Sequence, residues 1–182
     1  GLRDKNYNVS NDTQHYNDQW TRLTSEWQIS DSVSASNELY YLKNQRRWQN
    51  AENYNFSGGQ LTRSGFYGIK HNQEQVGDRQ TFTFKHTLLG LDSQTVTGVE
   101  YNRIRFRLAS NSPFDDVLPA GQPIDVNHPA SAPFESADPF LPLFVTTTKQ
   151  FSGFAENRLQ LTDQLSLITG IFYSVWALMG FS

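Results

Sequence analysis

Period two governs most of this chain. Between Thr21 and Ile29 the residues Leu23, Trp27 and Ile29 share one parity with Thr21 and Ser25, while Arg22, Thr24, Glu26 and Gln28 take the other. Phe82, Phe84, His86 and Leu88 alternate with Thr81, Thr83, Lys85 and Thr87. Val99 and Tyr101 alternate with Glu100 and Asn102, and Leu159 and Leu161 with Arg158 and Gln160. Successive side chains of a strand point to opposite faces, so each stretch reads as a strand with one apolar and one polar face. Helical spacing is not sustained anywhere. The apolar stretch from Leu165 to Phe181 approaches the length of a membrane helix, but Ser166, Thr169, Gly170 and Ser174 interrupt it and alternation accounts better for its first half.

Three breaks between alternating segments resemble one another: Ile29-Ser-Asp-Ser-Val33, Leu91-Asp-Ser-Gln-Thr-Val96 and Leu161-Thr-Asp-Gln-Leu165. Each sets Asp31, Asp92 or Asp163 beside a Ser, Thr or Gln, where an Asp side chain can bond its own backbone, so three tight turns are expected at one end of a sheet. The other connections are long. All seven prolines fall between Pro113 and Pro142, and since proline cannot donate to a ladder, Asn111 to Pro142 is predicted as one large loop. Gln49 to Gly65, rich in Asn, Ser and Gly, is predicted as a second.

Short turns at one end and long loops at the other are the asymmetry of outer-membrane β-barrels. The proline-free segments Val33 to Trp48 and Phe66 to Leu88 exceed the about 9–11 residues a tilted strand needs to cross hydrocarbon. This reading places Leu23, Trp27, Ile29, Leu39, Tyr41, Val99, Tyr101, Leu159 and Leu167 toward lipid, with Trp27 and Tyr41 in interfacial aromatic girdles. Arg22, Glu26, Glu38, Glu100, Glu156 and Arg158 go to the lumen.

Composition agrees with a thin-walled β structure. The hydrophobic fraction is only 37%, yet aromatics reach 14%, and one lipid-facing parity reconciles a mean hydropathy of −0.59 with membrane insertion. There is no cysteine, which excludes disulfides and thiolate metal sites. A net charge of −3 with scattered Lys and Arg excludes the footprint of a nucleic-acid binder. The first residues, Gly1-Leu-Arg-Asp-Lys-Asn6, carry no initiator Met, basic region or apolar run, so a cut chain or a fragment is expected, without a signal peptide.

Catalytic motifs are absent. His15, His71, His86 and His128 lie in different segments without ligand spacing and read as surface histidines. Asp115-Asp116 lacks the further acids of a calcium loop, and Ser57-Gly58-Gly59 lacks the lysine of a phosphate cradle. Asn8-Val-Ser and Asn55-Phe-Ser match glycosylation sequons that carry no meaning in a bacterial source. The candidate ligand contacts are aromatics on or beside the predicted loops, Trp48, Tyr54, Phe56 and Phe114, with Phe134 and Phe140 further along. They can stack on a planar ligand, and Arg47, with Arg46, can attract an anionic one. Loop aromatics also pack loops on themselves.

Four stretches resemble the barrel of TonB-dependent siderophore receptors: Asn37-Glu-Leu-Tyr-Tyr-Leu42, Trp48-Gln-Asn-Ala-Glu-Asn-Tyr54, Gly98-Val-Glu-Tyr-Asn-Arg103 and above all Gly153-Phe-Ala-Glu-Asn-Arg-Leu-Gln-Leu-Thr-Asp-Gln-Leu-Ser-Leu-Ile-Thr-Gly170. The likeness runs from about Tyr7 to Tyr173. It implies an all-β, antiparallel transmembrane barrel of about 22 strands around a plug, of which residues 1–182 supply six or seven strands and no plug. It further implies a receptor in the outer membrane of a Gram-negative bacterium, binding a ferric siderophore as transported ligand and drawing energy from the TonB complex through the plug. No cofactor and no catalytic residue are implied, and this part alone is expected to be inactive. After Gly170-Ile171 the family usually continues Arg-Tyr-Asp, whereas this chain reads Phe172-Tyr-Ser-Val-Trp-Ala-Leu-Met-Gly-Phe-Ser182, so residues 174–182 are expected to be an abnormal end. A porin or adhesin barrel and a soluble carbohydrate-binding β-sandwich are the alternative readings.

Overall fold

A computed structural model describes residues 1–115 and 123–181 of the chain. Its body is a single antiparallel sheet. The long strands are β1 (Thr13–Ser30), β2 (Val33–Ser57), β3 (Gln60–Leu88), β4 (Leu91–Ser110), β6 (Leu141–Thr162) and β7 (Leu165–Phe181), side by side in that order. The two-residue β5 (Ile124–Asp125) pairs with Gln60 and Leu61 of β3, and a single 3-10 turn occupies Leu2–Asp4. No second sheet packs on either face among the described residues, which removes the sandwich reading. Residues 165–181 form a strand paired with β6 throughout, so the alternation in that stretch prevails over its helix-like length.

The register fixes the two faces. Leu23 stands opposite Leu39, Leu39 opposite Asp78, Asp78 opposite Tyr101, Tyr101 opposite Phe151 and Phe151 opposite Val175. Trp27, Ala35, Phe82 and Thr97 form a second such row nearer the short turns. These rows lie on one apolar face, with Phe82 and Phe84 stacked at 6.5 Å. On β2 the band runs from Val33 to Tyr41, nine positions, which matches the span of tilted strand that crosses hydrocarbon. Asp78 interrupts it, and its carboxylate accepts a hydrogen bond from Asn37 Nδ2 at 2.6 Å.

The opposite, polar face holds Arg22, Glu26, Glu38, Glu100, Glu156 and Arg158, in agreement with the alternation. There Glu100 accepts two bonds from Arg79, at 2.8 and 3.0 Å, and one from the Tyr40 hydroxyl at 2.8 Å. Two glycines make room for aromatic rings on this face: a Cβ at Gly77 would lie 2.1 Å from the Tyr40 ring, and one at Gly98 would lie 2.6 Å from both Phe154 and the Gln80 carbonyl oxygen.

The short turns differ from expectation in one place. β1–β2 and β6–β7 turn at Asp31-Ser32 and Asp163-Gln164 as expected, but the side chains that bond the turn backbone belong to Ser30 and Thr162 rather than to the aspartates. Both turns follow a register shift, and in both a glutamine two residues before the hydroxyl reaches across it: Gln28 Nε2 donates to the carbonyls of Ser30 and Val33, and Gln160 Nε2 to those of Thr162 and Leu165. β3–β4, by contrast, turns at Leu89-Gly90, and Asp92 pairs with Thr87 inside the ladder. Both turn residues have positive φ, 55° and 79°, the backbone of a type I′ two-residue hairpin.

The larger correction concerns Gln49 to Gly65, which is a strand hairpin rather than a loop. The β2–β3 ladder continues through Ala51–Phe66, Asn53–Ser64 and Phe56–Leu61 to Ser57–Gln60, closing over Gly58-Gly59 at φ 59° and 79°. Backbone pairing supplies the order that the Asn- and Ser-rich side chains do not announce. Gly65 is also at positive φ, 63°.

Packing supplies the rest. Val9, Ala51 and Phe66 form a small buried core, with Phe134 edge-on to Phe66 at 5.7 Å. It ties the N-terminal segment and the segment after β5 onto the hairpin. The buried Arg63 guanidinium donates to the carbonyls of Asn8 at 2.8 Å and Ala130 at 3.4 Å, Ser10 N–H to Ala132 at 2.7 Å, and Gln49 Nε2 to Asn11 at 2.8 Å. In the proline-rich segment β5 is the one strand among the described residues, and Asp116 lies outside them. Pro142 enters β6 opposite Ala109, at a register shift, where a missing donor is tolerated.

Candidate functional site

Beyond the apolar band, toward the long connections, the polar face turns aromatic. Tyr16 is paired with Arg46 and Gln14 with Trp48, so Tyr16, Arg46 and Trp48 project on one face. The Arg46 guanidinium lies 5.4 Å from the centre of the Tyr16 ring and 5.7 Å from that of Trp48, held between two π faces. Arg46 is opposite His71 and Trp48 opposite Ile69, which carries the face across β3. His71 packs 5.3 Å from Phe106, and Phe106 lies 6.0 Å from Phe144. Tyr67 extends the wall and meets Phe114 at 4.3 Å between ring centres. The arrangement offers flat apolar surfaces around a fixed cation, which suits a planar anionic ligand and provides no group poised for covalent chemistry. Among the described residues no group of three His, Cys, Asp or Glu is placed to hold a metal ion.

The five expected contact residues are not all brought together. Trp48 belongs to the wall. Phe114 reaches its edge through Tyr67. Arg47 projects from the other face of β2, with its guanidinium 3.4 Å from Gln49 Oε1, so the cation beside Trp48 is Arg46. Tyr54 lies toward the hairpin tip, its hydroxyl donating to the Ala51 carbonyl at 3.0 Å, and Phe56 stands exposed one pair from Gly58-Gly59. Phe134 is taken by the small core, and Phe140 lies over Gly68 with Lys70 Nζ 4.5 Å from its ring. Tyr16, Tyr67, His71 and Phe106 escaped the sequence reading because they sit in strand rather than loop. The signal that would find them is parity: on β1 and β2, Tyr16, Arg46 and Trp48 continue the polar face of Arg22 and Glu38.

The family model described as "TonB dependent receptor-like, beta-barrel" matches residues 1–177. The chain belongs to this family. Solved receptors share the fold. The ferric preacinetobactin receptor BauA from Acinetobacter baumannii superimposes with a TM-score of 0.74 at 15% identity, over 92% of this chain and 25% of that one. The ferric-catecholate import receptor Fiu from E. coli K12, in its open form, gives 0.76 at 15%, over 96% and 27%. The siderophore receptor PiuA from Acinetobacter baumannii gives 0.66 at 14%, over 96% and 31%. The chain therefore spans between a quarter and a third of each of these receptors. No curated protein sequence matches it. Membership decides between barrels: the strands are those of a TonB-dependent receptor rather than of a porin or adhesin, and proteins of this family reside in the outer membrane of Gram-negative bacteria.

Proposed function

We propose that these strands form one sector of an outer-membrane receptor that captures a ferric siderophore from outside and imports it with energy delivered by the TonB complex through a plug. The apolar face meets lipid, the polar face meets the lumen, and the Asp31, Leu89-Gly90 and Asp163 turns lie in the periplasm. The aromatic wall then faces the ligand's entry path on the extracellular side. The observation that carries this reading is the guanidinium of Arg46 held between Tyr16 and Trp48 on the lumenal parity. Ferric chelates present anionic oxygens and flat apolar groups, and a pre-positioned cation flanked by rings meets both without first ordering a flexible side chain. The receptor moves its ligand without making or breaking covalent bonds in it, so no enzymatic step is assigned.

The test uses the complete barrel that carries this sector, titrated with ferric siderophores while its tryptophan fluorescence is followed. Trp48→Ala and Arg46→Gln are each expected to weaken binding about tenfold, as for loss of a charge-assisted or stacking contact worth about 1.5 kcal/mol. Unchanged affinity in both, for every siderophore that supports uptake, sinks the assignment of this wall.

A further inference from the structure

His71 enters the aromatic wall directly opposite Arg46, on the polar face of the β2–β3 ladder. Residues paired in this way carry their Cβ atoms about 4.5–5.5 Å apart, so the imidazole and the guanidinium share one small patch. Neither base is matched by an acid. Among the described residues no carboxylate lies within ion-pair distance of either, and Arg46 Nε is buried without a hydrogen-bond partner although its two flanking rings are in place. The titratable groups that share this face near His71 are Arg46 from β2, Tyr16 and Asp18 from β1, and Tyr67 from its own strand; β4 brings Phe106 and Leu108, and β6 Phe144 and Thr146. Asp18 lies one row nearer the apolar band, where Asn44 Nδ2 donates to its carboxylate. Lys43, Arg47, Lys70, Glu74, Arg105 and Arg107 have the opposite parity and project from the other face.

Two bases that face one another without an acid repel, and the imidazole is the one that discharges near neutral pH. His71 stands outward of the apolar band, half-buried against Phe106. Burial, and after it the charge of Arg46, hold its pKa below the ordinary histidine range, so the empty wall carries one cation rather than two. An anion set against Arg46 inverts this balance, because it cancels the charge that opposes protonation and gives the ring nitrogen an acceptor. The orphaned Arg46 Nε–H shows that such an acceptor is missing from the protein itself. We propose that His71 is a second anion-binding residue of the wall, taking up a proton as an anionic ferric chelate docks against Arg46. This rests on the ligand-capture reading given above. Capture is thereby coupled to pH. His71 holds its proton more tightly in the complex than in the empty wall, so the gain in affinity is absent above the complex's pKa, grows as pH falls between the two values and is complete below that of the empty wall. An uncharged chelate brings no anion and gains nothing, which makes His71 a determinant of selectivity as well as of pH response.

The experiment titrates the complete barrel with a net-anionic ferric tris-catecholate and with an uncharged ferric tris-hydroxamate. Tryptophan fluorescence reads the affinity, and calorimetry in two buffers of different ionisation enthalpy counts the protons taken up. From about pH 8 to about pH 6 the parental protein is expected to bind the catecholate at least about threefold more tightly, with net proton uptake, and the hydroxamate equally at both. His71→Gln retains a hydrogen-bonding side chain that cannot take up the proton, and is expected to lose both the uptake and the tightening. Protonation of the chelate itself enters parent and variant alike and drops out of the comparison. If this variant fails to fold, the proton count of the parental protein decides: uptake with the catecholate alone supports the proposal, and equal counts for the two chelates overturn it. The same pH profile in parent and His71→Gln overturns this inference alone. Binding that Arg46→Gln leaves untouched, or no binding of either chelate, overturns the reading of the wall beneath it.

Discussion

Gly77 and Gly98 both lie under aromatic rings, but they differ in what a methyl group would strike. At Gly77 the obstacle is the far end of Tyr40, which can swing away at the cost of its bond to Glu100; at Gly98 it includes the backbone carbonyl of Gln80, which is fixed in the ladder. Gly98→Ala is therefore expected to destabilise the complete barrel more than Gly77→Ala, by about 2–3 against about 1 kcal/mol in urea unfolding from vesicles. The opposite order would show that the ring, not the strand, is the rigid partner. Leu89 presents the reverse case. It is 88% exposed at φ 55°, a conformation that costs a side chain with a Cβ about 1 kcal/mol and that asparagine tolerates. Leu89→Asn is expected to raise the unfolding midpoint, and a lowered midpoint would mean that Leu89 makes a contact absent from this sheet.

At the scale of elements, the faces were readable from the chain because strand alternation is a property of backbone geometry and needs no knowledge of neighbours. The Gln49–Gly65 hairpin was not readable, because its Asn, Ser and Gly residues describe solvent exposure, whereas its order comes from the ladder and from Phe66 packing with Val9 and Ala51. Asp92 misled for a related reason: Asp and Ser favour turns, yet here Asp92 and Ser93 pair with Thr87 and His86 inside the ladder, and Leu89-Gly90 carried the better signal in its glycine. Of the aromatic wall, Trp48 was visible as an aromatic beside a predicted loop, but its union with Tyr16 depends on the β1–β2 register, which a single strand's sequence does not contain. The hairpin's dependence on Arg63 is testable. Arg63→Met removes donors to the carbonyls of Asn8 and Ala130, and is expected to release both segments to limited proteolysis at least about tenfold faster, from loss of about 1.5–3 kcal/mol of charged hydrogen bonding. Cleavage at the parental rate would assign the docking to the small core alone.

At the scale of the whole molecule the sheet is open. β1 pairs only with β2 and β7 only with β6 among the described residues, so each offers an outer row of backbone donors and acceptors. In hydrocarbon every such group left unpaired costs several kcal/mol, which is why spanning sheets close. β7 sharpens the problem, since its ladder side continues to Phe181 while its polar parity carries Ile168, Phe172, Trp176 and Leu178, all exposed, beside Ser174, which is bonded to Gln150 and Ser152. A strand apolar on both faces with a free edge is a template for association. Expressed by itself, the chain is therefore expected to sediment as aggregate unless detergent or denaturant is present, and to leave ferric siderophore uptake unrestored in a strain lacking its receptor. Supplying the remaining strands of a receptor barrel should relieve both defects together, because one event, closure, satisfies the edges and encloses the lumen. Uptake by the chain alone would mean that copies of this open sheet close on one another, and would replace the single-receptor picture with an assembled one.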